Sequence, residues 1–427
     1  MTTSDLVGLR IKQVRRQRGL SQAQLAHPEL SDSYISLIES GKRTPTPAVL
    51  ELIAQKLDCS LSFLLNGVTA EQLEDIELAL AYARLALENG EVVEARARFA
   101  ELLANNNLTG LTALRQDTEF GLALATEACG DLPEAIAILQ RLHAEDVTPE
   151  REVELALAMC RVYRESDQLT EAVEIGEQTL GRMAGHGWSD ELVELGATLL
   201  AAYYHRGDML KARQFAAELL NVADTLGTPR SLVAANWNAA IVAEKSGHGE
   251  EALALAERAL AVQSETGHPR NLARLRTAVA DLILQTRPQE AAQARAMLER
   301  VEREMSETSA STVDRARLLV CLATAALLTG EPGDAVTAAR DAQALIPGHS
   351  HVLRAEAGLL LALALGAVGR AEEGLEAVRS IQAPLDGVPD SRRVAGTWFG
   401  VAETYERLGD SEDAVEAYRR ALACAGL

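Results

Sequence analysis

A six-residue segment recurs nine times along most of this 427-residue chain. It reads GEVVEA at 90–95, GDLPEA at 130–135 and GDSEDA at 409–414, and successive copies start 37 to 44 residues apart. The other copies start at 167, 207, 247, 286, 330 and 369. A period of this length is typical of arrays in which each unit buries its apolar face only against its neighbours. The repeat therefore predicts stacked units rather than one globular core.

The segments on either side of each copy have the hydrophobic periodicity of helices. RTAVADLILQ precedes the sixth copy and AQARAMLERVE follows it. Only 4% of residues are aromatic, and Ala and Leu, which are strong helix formers, are prominent throughout. The glycine that opens most copies turns the chain, and the small residue that closes each copy lets the second helix approach the first. We expect an all-α chain with about nine helix pairs.

Charge divides the chain into two parts. Residues 1–68 contain 8 Lys or Arg and 6 Asp or Glu, whereas the remaining 359 residues contain 33 and 56, so the net charges are +2 and −23. We therefore predict a domain at 1–68 and a repeat domain at 69–427. Five widely spaced cysteines and an N-terminus without an apolar signal segment predict a cytoplasmic protein. The apolar run 357–368 is too short to span a membrane.

The N-terminal part carries the start and stop signals of five short helices. Gly19 ends the first helix, and the S-x-x-Q spacing at 21–24 is a capping box that starts the second. Ser31 caps the third helix, which ends at Gly41. Thr46-Pro47 gives the fourth helix an N-cap and a proline in its first turn.

Three segments of this part carry a family resemblance: GLSQAQLA at 19–26, SDSYISLIESGKRTP at 31–45 and LELIAQKLDCSLSFLL at 50–65. In this order they resemble the Xre-type, λ-repressor-like helix-turn-helix domains. One departure is that AHPELS, between the second and third helices, is short and lacks the usual turn glycine. The resemblance implies a DNA-binding domain whose third helix enters the major groove.

The resemblance also implies the DNA contacts. Three residues of the third helix would face base edges, and three flanking residues would contact phosphates: Asp32, Ser33 and Leu37, and Gln22, Lys42 and Arg43, respectively. Asp32 either accepts a hydrogen bond from a cytosine amino group or only complements the helix dipole. Leu37 either contacts a thymine methyl group or is simply half-exposed. Arg15 and Glu39 match positions of a structural ion pair.

The repeats resemble the tetratricopeptide repeat, lengthened from about 34 to about 40 residues. The last unit has Trp398, Tyr405, Gly409 and Ala414 at the consensus spacings. The resemblance implies a right-handed α-solenoid after the five-helix domain, with a concave binding surface made mainly by the first helix of each pair.

Projecting the inner-face positions of that repeat onto this chain gives candidate effector-binding residues: Arg161, Arg164, Tyr204, Trp237 and Asn238, with His205 and Glu244 nearby. Arginines can hold a carboxylate, an asparagine amide can pair with a peptide backbone, and Trp offers a stacking face. The alternative is that the aromatic residues only pack between repeats.

Together the two parts resemble the peptide-responsive regulators of Gram-positive bacteria. We expect a cytoplasmic transcriptional regulator that binds an inverted-repeat operator in double-stranded DNA, with a peptide or other small effector in the solenoid. The apolar end RRALACAGL predicts a homodimer. A scaffold protein, or a regulator that senses a metabolite or a protein partner, remains open. No catalytic arrangement, metal, cofactor or membrane contact is predicted.

Overall fold

The computed structural model describes residues 3–104, 108, 110–183, 185, 187–266, 269–306, 312–346 and 351–426. These residues form 23 α-helices and no strand, which confirms the all-α prediction. The chain divides into two compact units, Met1–Val147 and Thr148–Leu427. The domain boundary after Val68 stays a prediction. No helix of the described ranges is long and apolar enough to cross a bilayer.

The first five helices have one shared core. They are α1 (Thr3–Gln17), α2 (Gln22–Ala26), α3 (Asp32–Glu39), α4 (Pro47–Lys56) and α5 (Leu61–Asn66). Each contributes buried apolar side chains, among them Ile11, Leu25 and Ile35. At Gly8 helix α1 approaches α3 so closely that a Cβ atom would lie 2.1 Å from the carbonyl oxygen of Ile38. The core therefore fixes α3 against α1.

The expected caps of α2 and α3 are present. The Ser21 hydroxyl accepts a hydrogen bond from the Gln24 backbone N–H at 3.1 Å, and the Ser21 N–H donates to Oε1 of Gln24 at 2.8 Å. The Ser31 hydroxyl accepts from the Tyr34 N–H at 3.3 Å. The hydroxyl of Thr46 caps nothing, so α4 starts with a proline but without a side-chain cap.

The side chain of Lys56 contacts the C-terminal end of α2. Its ammonium donates to the carbonyl oxygens of Leu25 and Ala26 at 3.2 Å each and to that of His27 at 2.5 Å. These are the last carbonyl groups of α2, which have no partner inside the helix. A positive charge at a helix C-terminus is also favoured by the helix dipole. The short segment between α2 and α3 is thus held by a side chain from α4.

Helix pairs follow in both compact units. The first unit continues with α6 (Ala70–Glu88), α7 (Val92–Ala104), α8 (Thr112–Ala128) and α9 (Leu132–His143). The second contains α10 (Pro149–Glu165), α11 (Leu169–Met183), α12 (Asp190–Arg206), α13 (Met209–Leu226), α14 (Pro229–Lys245), α15 (Gly249–Thr266), α16 (Pro269–Thr286), α17 (Ala291–Ser306), α18 (Thr312–Leu328), α19 (Pro332–Leu345), α20 (His351–Ala367), α21 (Ala371–Asp386), α22 (Arg392–Leu408) and α23 (Ser411–Cys424). Each repeated six-residue segment joins the two helices of one pair.

The first residue of the repeated segment turns the chain, and the last residue is small and buried. In the described chain, seven of the nine segments place a glycine at a φ of 79° to 93°, in the left-handed region: Gly90, Gly130, Gly207, Gly247, Gly330, Gly369 and Gly409. In the third pair Asp167 takes this conformation with a φ of 63°. The sixth pair instead turns through a 3-10 turn at Pro288–Glu290. The last residue of each segment is a buried Ala or Gly.

Asp167 gives a test of this turn, because left-handed backbone costs a residue with a Cβ atom about 1–2 kcal/mol. We predict that Asp167→Gly raises the free energy of unfolding by about 1 kcal/mol, partly offset by the greater freedom of glycine in the unfolded chain. The reciprocal change Gly247→Asp should lower it by a similar amount. Urea unfolding followed by circular dichroism measures both. Destabilisation by Asp167→Gly would contradict this account.

Candidate functional site

Helix α3 presents a polar face to solvent. Ile35 and Ile38 are buried, whereas Asp32, Ser33 and Leu37 are exposed, Leu37 by 39%. These three proposed base-reading residues thus share one face. Ser36 is exposed on the same face and was not selected from the sequence, although it lies four residues after Asp32, one turn along the helix. The face offers hydroxyl and carboxylate groups for hydrogen bonds to base edges.

Local contacts orient two residues of this face. The hydroxyl of Ser33 is hydrogen-bonded to that of Ser31 at 3.1 Å, beside the N-terminus of α3. Asp32 lies in the first turn of α3, where a carboxylate complements the helix dipole. Both interpretations of Asp32 fit this position.

The predicted phosphate contacts flank α3. Gln22 is the first residue of α2, and its side-chain amide donates to Oε2 of Glu39 at 2.8 Å. Lys42 and Arg43 are exposed just after α3. The guanidinium carbon of Arg43 lies 5.6 Å from the centre of the Tyr34 ring, a cation–π contact that orients the charge.

A buried ion pair fixes α3 in place. Nε of Arg15 lies 2.5 Å from Oε1 of Glu39, and a second guanidinium nitrogen donates to Oε2 at 2.9 Å. Both residues are buried, and Arg15 also donates to the carbonyl oxygen of Leu20 at 2.7 Å. Burial acts to raise the pKa of Glu39, but hydrogen bonds from Arg15 and Gln22 outweigh it, so this pKa lies below its usual range. The structural role expected for the pair is confirmed.

Half of the cations in the N-terminal part have structural partners. Arg10 donates to carbonyl oxygens at the end of α5, Arg18 pairs with Asp58 at 3.0 Å, and Arg15 and Lys56 act as described. Within the described residues no ion pair involves the other four: Lys12, Arg16, Lys42 and Arg43. The charge left for a polyanion is therefore modest and includes both predicted phosphate contacts after α3.

The second compact unit contains a cavity of about 730 Å³. Its described lining comes from α12, α14, α16, α18, α20 and α22, with Met305 of α17 as the only exception. These are the first helices of six consecutive pairs, in agreement with the predicted inner surface. On α16 the lining residues Arg274, Thr277, Asp281 and Gln285 follow helical spacing, so they lie on one face.

The repeat period explains how these side chains come together. Trp237, Thr277, Arg317 and Glu356 line the cavity from four successive first helices, at spacings of 40, 40 and 39 residues. Two further rows of lining residues are spaced by 39 or 40 residues. One consists of Ile241, Asp281, Cys321 and Leu360, and the other of Arg274, Asp314, Leu353 and Arg393. Equivalent positions thus carry different chemistry in each repeat.

The cavity includes some of the predicted effector-binding residues and not others. Tyr204, Trp237 and Glu244 line it. Asn238 does not, and its amide donates to the carbonyl oxygen of Ala234 in its own helix at 3.0 Å. The two arginines predicted on α10, Arg161 and Arg164, also lie outside the lining. An effector role for these residues stays a prediction.

His205 stacks on Tyr204 beside the cavity, with ring centres 4.1 Å apart. Burial, together with the positive charges of Arg164 and Arg393, lowers the pKa of His205 to about 4. The imidazole is therefore neutral at physiological pH. Arg393 comes from the last pair and Tyr204 from a pair five units earlier, so the cavity joins distant repeats.

Helices α12 and α22 also meet where α12 ends. The guanidinium of Arg392 covers Gly207, where a Cβ atom would lie 2.1 Å from a guanidinium nitrogen. A Cβ atom at this position would displace the guanidinium. Helices that are 185 residues apart in sequence thus meet at the rim of the second unit.

Sequence reasoning missed seven charged lining residues: Lys245, Arg274, Asp281, Asp314, Arg317, Glu356 and Arg393. Stepping the predicted position Trp237 forward by two and three repeat periods would have found Arg317 and Glu356. Asp281 accepts a hydrogen bond from Gln285 at 2.9 Å and is hydrogen-bonded to the Cys321 thiol. Burial is the main reason that the pKa of Asp281 is raised to about 6.

Comparison with known proteins supports both parts. Residues 11–64 match a family model described as helix-turn-helix, so the chain carries such a domain. A Rap protein crystallised with Competence and Sporulation Factor is similar, with 15% identity, a TM-score of 0.54 and coverage of 83% of this chain and 98% of the Rap chain. The apo form of the quorum sensor NprR from B. thuringiensis has 14% identity, a TM-score of 0.53 and coverage of 82% and 99%. These similarities show a shared helical-repeat fold. No curated protein sequence matches.

The buried ion pair predicts that the N-terminal part loses stability when Glu39 is substituted or protonated. Glu39→Gln leaves the Arg15 charge without its partner, and breaking a buried pair in this way costs about 3 kcal/mol. Because the folded state lowers the pKa of Glu39, the pair stabilises the wild type at neutral pH. That contribution should be lost as the pH falls below the pKa of Glu39 in the unfolded chain and then through its lower pKa in the folded state.

Hydrogen exchange of amides in α1 and α3 measures both effects. The exposed Glu51 provides the matched control, since Glu51→Gln removes the same charge without touching the pair. Faster exchange in Glu39→Gln alone is expected. Equal protection in the two variants would show that the pair does not hold α3.

Proposed function

We propose that the chain is a transcriptional regulator that works as a homodimer in the cytoplasm. Its helix-turn-helix domain would read an inverted-repeat operator through α3, and an effector in the cavity of the second unit would control that binding. The observation that carries the proposal is the exposed polar face of α3, held by a buried ion pair within the matched helix-turn-helix domain.

The charge distribution supports binding of one operator by two helix-turn-helix domains, called heads below. Binding DNA gains affinity by neutralising phosphates, and each head has four cations without an ion pair among the described residues. The remainder of the chain, with a net charge of −23, adds none. Two heads double the number of phosphate contacts. They require half-sites about one helical turn, or roughly 34 Å, apart.

The cavity supports control by a small ligand. Its volume of about 730 Å³ lies within the range of about 300–1,000 Å³ typical of ligand sites. Trp237 and Tyr204 offer stacking faces, and the charged residues offer specificity. The Rap protein of similar fold is complexed with Competence and Sporulation Factor, and NprR is described as a quorum sensor. These similarities favour a signalling molecule, and we propose a short peptide.

Control would act through the curvature of the repeat array. A ligand that touches helices from α12 to α22 binds best when those helices are at one separation, so it selects one curvature of the second unit. In a dimer, a change of curvature changes the distance between the heads. Because half-site spacing is fixed by the DNA helix, a small change is enough to weaken binding.

Two substitutions separate base reading from phosphate binding. Ser33→Ala should reduce the preference for the operator over an unrelated duplex by about 1–3 kcal/mol, while leaving the non-specific affinity unchanged. Lys42→Ala should weaken binding to both duplexes alike. It should also reduce the slope of log K against log salt by about one for each head.

Fluorescence anisotropy over a series of salt concentrations measures both quantities with the full chain. Glu51→Gln serves as a control that should change neither. The assignment fails if both substitutions alter specificity to the same degree, or if the Lys42 variant retains the wild-type salt slope.

A further inference from the structure

The cavity contains eight charged side chains of both signs: Glu244, Lys245, Arg274, Asp281, Asp314, Arg317, Glu356 and Arg393. Four of them are matched inside the protein. Nζ of Lys245 lies 3.0 Å from Oε2 of Glu244, and Nε of Arg274 lies 2.8 Å from Oδ1 of Asp314. The other four, two acids and two arginines, form no ion pair with any residue in the described ranges.

The two remaining acids are costly to bury in the ligand-free protein. Asp281 on α16 and Glu356 on α20 both have a pKa above the usual range, mainly because of burial. The charge of Glu356 raises the pKa of Asp281 further. With a pKa of about 6, the Asp281 carboxyl is nevertheless mostly ionised at physiological pH, and Glu356 is near enough to act on it electrostatically. A cationic group between them would relieve this cost.

The two remaining arginines offer the opposite charge. Arg317 and Arg393 are near enough to Glu356 for their charges to lower its pKa, which limits the rise caused by burial. Neither lies within ion-pairing distance of it, so their guanidinium groups can still take a carboxylate in a bidentate arrangement. The cavity thus presents adjacent sites for a cation and for an anion.

We propose that the cavity binds a short linear peptide with both termini free. Its terminal ammonium would lie between Asp281 and Glu356, and its terminal carboxylate would be bound by Arg317 and Arg393. The apolar side chains of the peptide would stack on Trp237 and Tyr204. This inference rests on the proposed function in placing the effector in this cavity, and it adds the charge pattern of the ligand.

Ligands of a single charge fit less well. A polyamine would satisfy the two acids but leave the arginines facing another cation, and a phosphate ester would do the reverse. A metal ion is disfavoured as well, because no group of three or more metal-binding side chains comes together in the described part of the chain. Only a ligand with both charges matches all four unpaired groups.

Peptide pools that differ only at their termini provide the test. Four pools of tri- to pentapeptides, built from uncharged residues, would have both termini free, the N-terminus acetylated, the C-terminus amidated, or both blocked. The full chain should gain thermal stability from the pool with free termini. Each single block should require at least tenfold more peptide for the same shift. Equal shifts from the doubly blocked pool, or no shift from any pool, would overturn the proposal.

Variants assign each charge to its residues. Glu356→Gln should remove the preference for a free N-terminus and keep that for a free C-terminus, and Arg393→Gln should do the reverse. Loss of both preferences in each variant would contradict the assignment.

The melting temperature of the ligand-free chain tests whether the two acids without ion-pair partners destabilise it. Asp281→Asn and Glu356→Gln each replace a buried carboxyl group that has no ion-pair partner in the described ranges, so the melting temperature of the free chain should stay or rise. Asp314→Asn is the matched control, because it breaks the pair with Arg274 and should lower the melting temperature. If all three lower it equally, the two acids are structural and the proposal fails. None of these readouts involves DNA, so a chain that failed to bind DNA would refute the proposed function without affecting them.

Discussion

The close approach of the two helices in each pair is the constraint on which the repeat array depends. A buried Ala or Gly at the end of each turn segment permits it, and at Gly374 a Cβ atom would lie 2.9 Å from the carbonyl oxygen of Ala362. In the second unit, six pairs built in this way, at intervals near 40 residues, present equivalent positions of their first helices to one cavity. The cavity is a consequence, because its rows of side chains follow the same period.

Within the N-terminal part, polar contacts determine where α3 lies. The Arg15–Glu39 pair and the Lys56 ammonium connect α1, α2, α3 and α4. Both use charges that would otherwise be available to DNA. The polar face of α3 can remain exposed because its orientation is fixed from the buried side. In the proposed dimer, two helix-turn-helix domains would compensate for the small number of cations left on each.

Local rules explain which features the sequence predicts. The turn segments, the capping box at Ser21 and the Arg15–Glu39 pair depend on residues at fixed short spacings or on a dense motif, and the structure confirms them. The closure that brings Arg393 near His205 results from small rotations summed over five repeats, which no local pattern encodes. Two other differences are local: the amide of Asn238 donates within its own helix, and Asp281 was missed because candidates were projected only onto the third to fifth pairs.

Selection of bound duplexes from a random DNA library by the full chain tests the central claim most directly. The account predicts enrichment of one inverted repeat, with half-sites about one helical turn apart. It also predicts that the Ser33→Ala chain enriches a more degenerate version of the same repeat. Enrichment of a single unrepeated site would contradict the dimeric reading of DNA. No enrichment at all would contradict the assignment of α3 as a recognition helix.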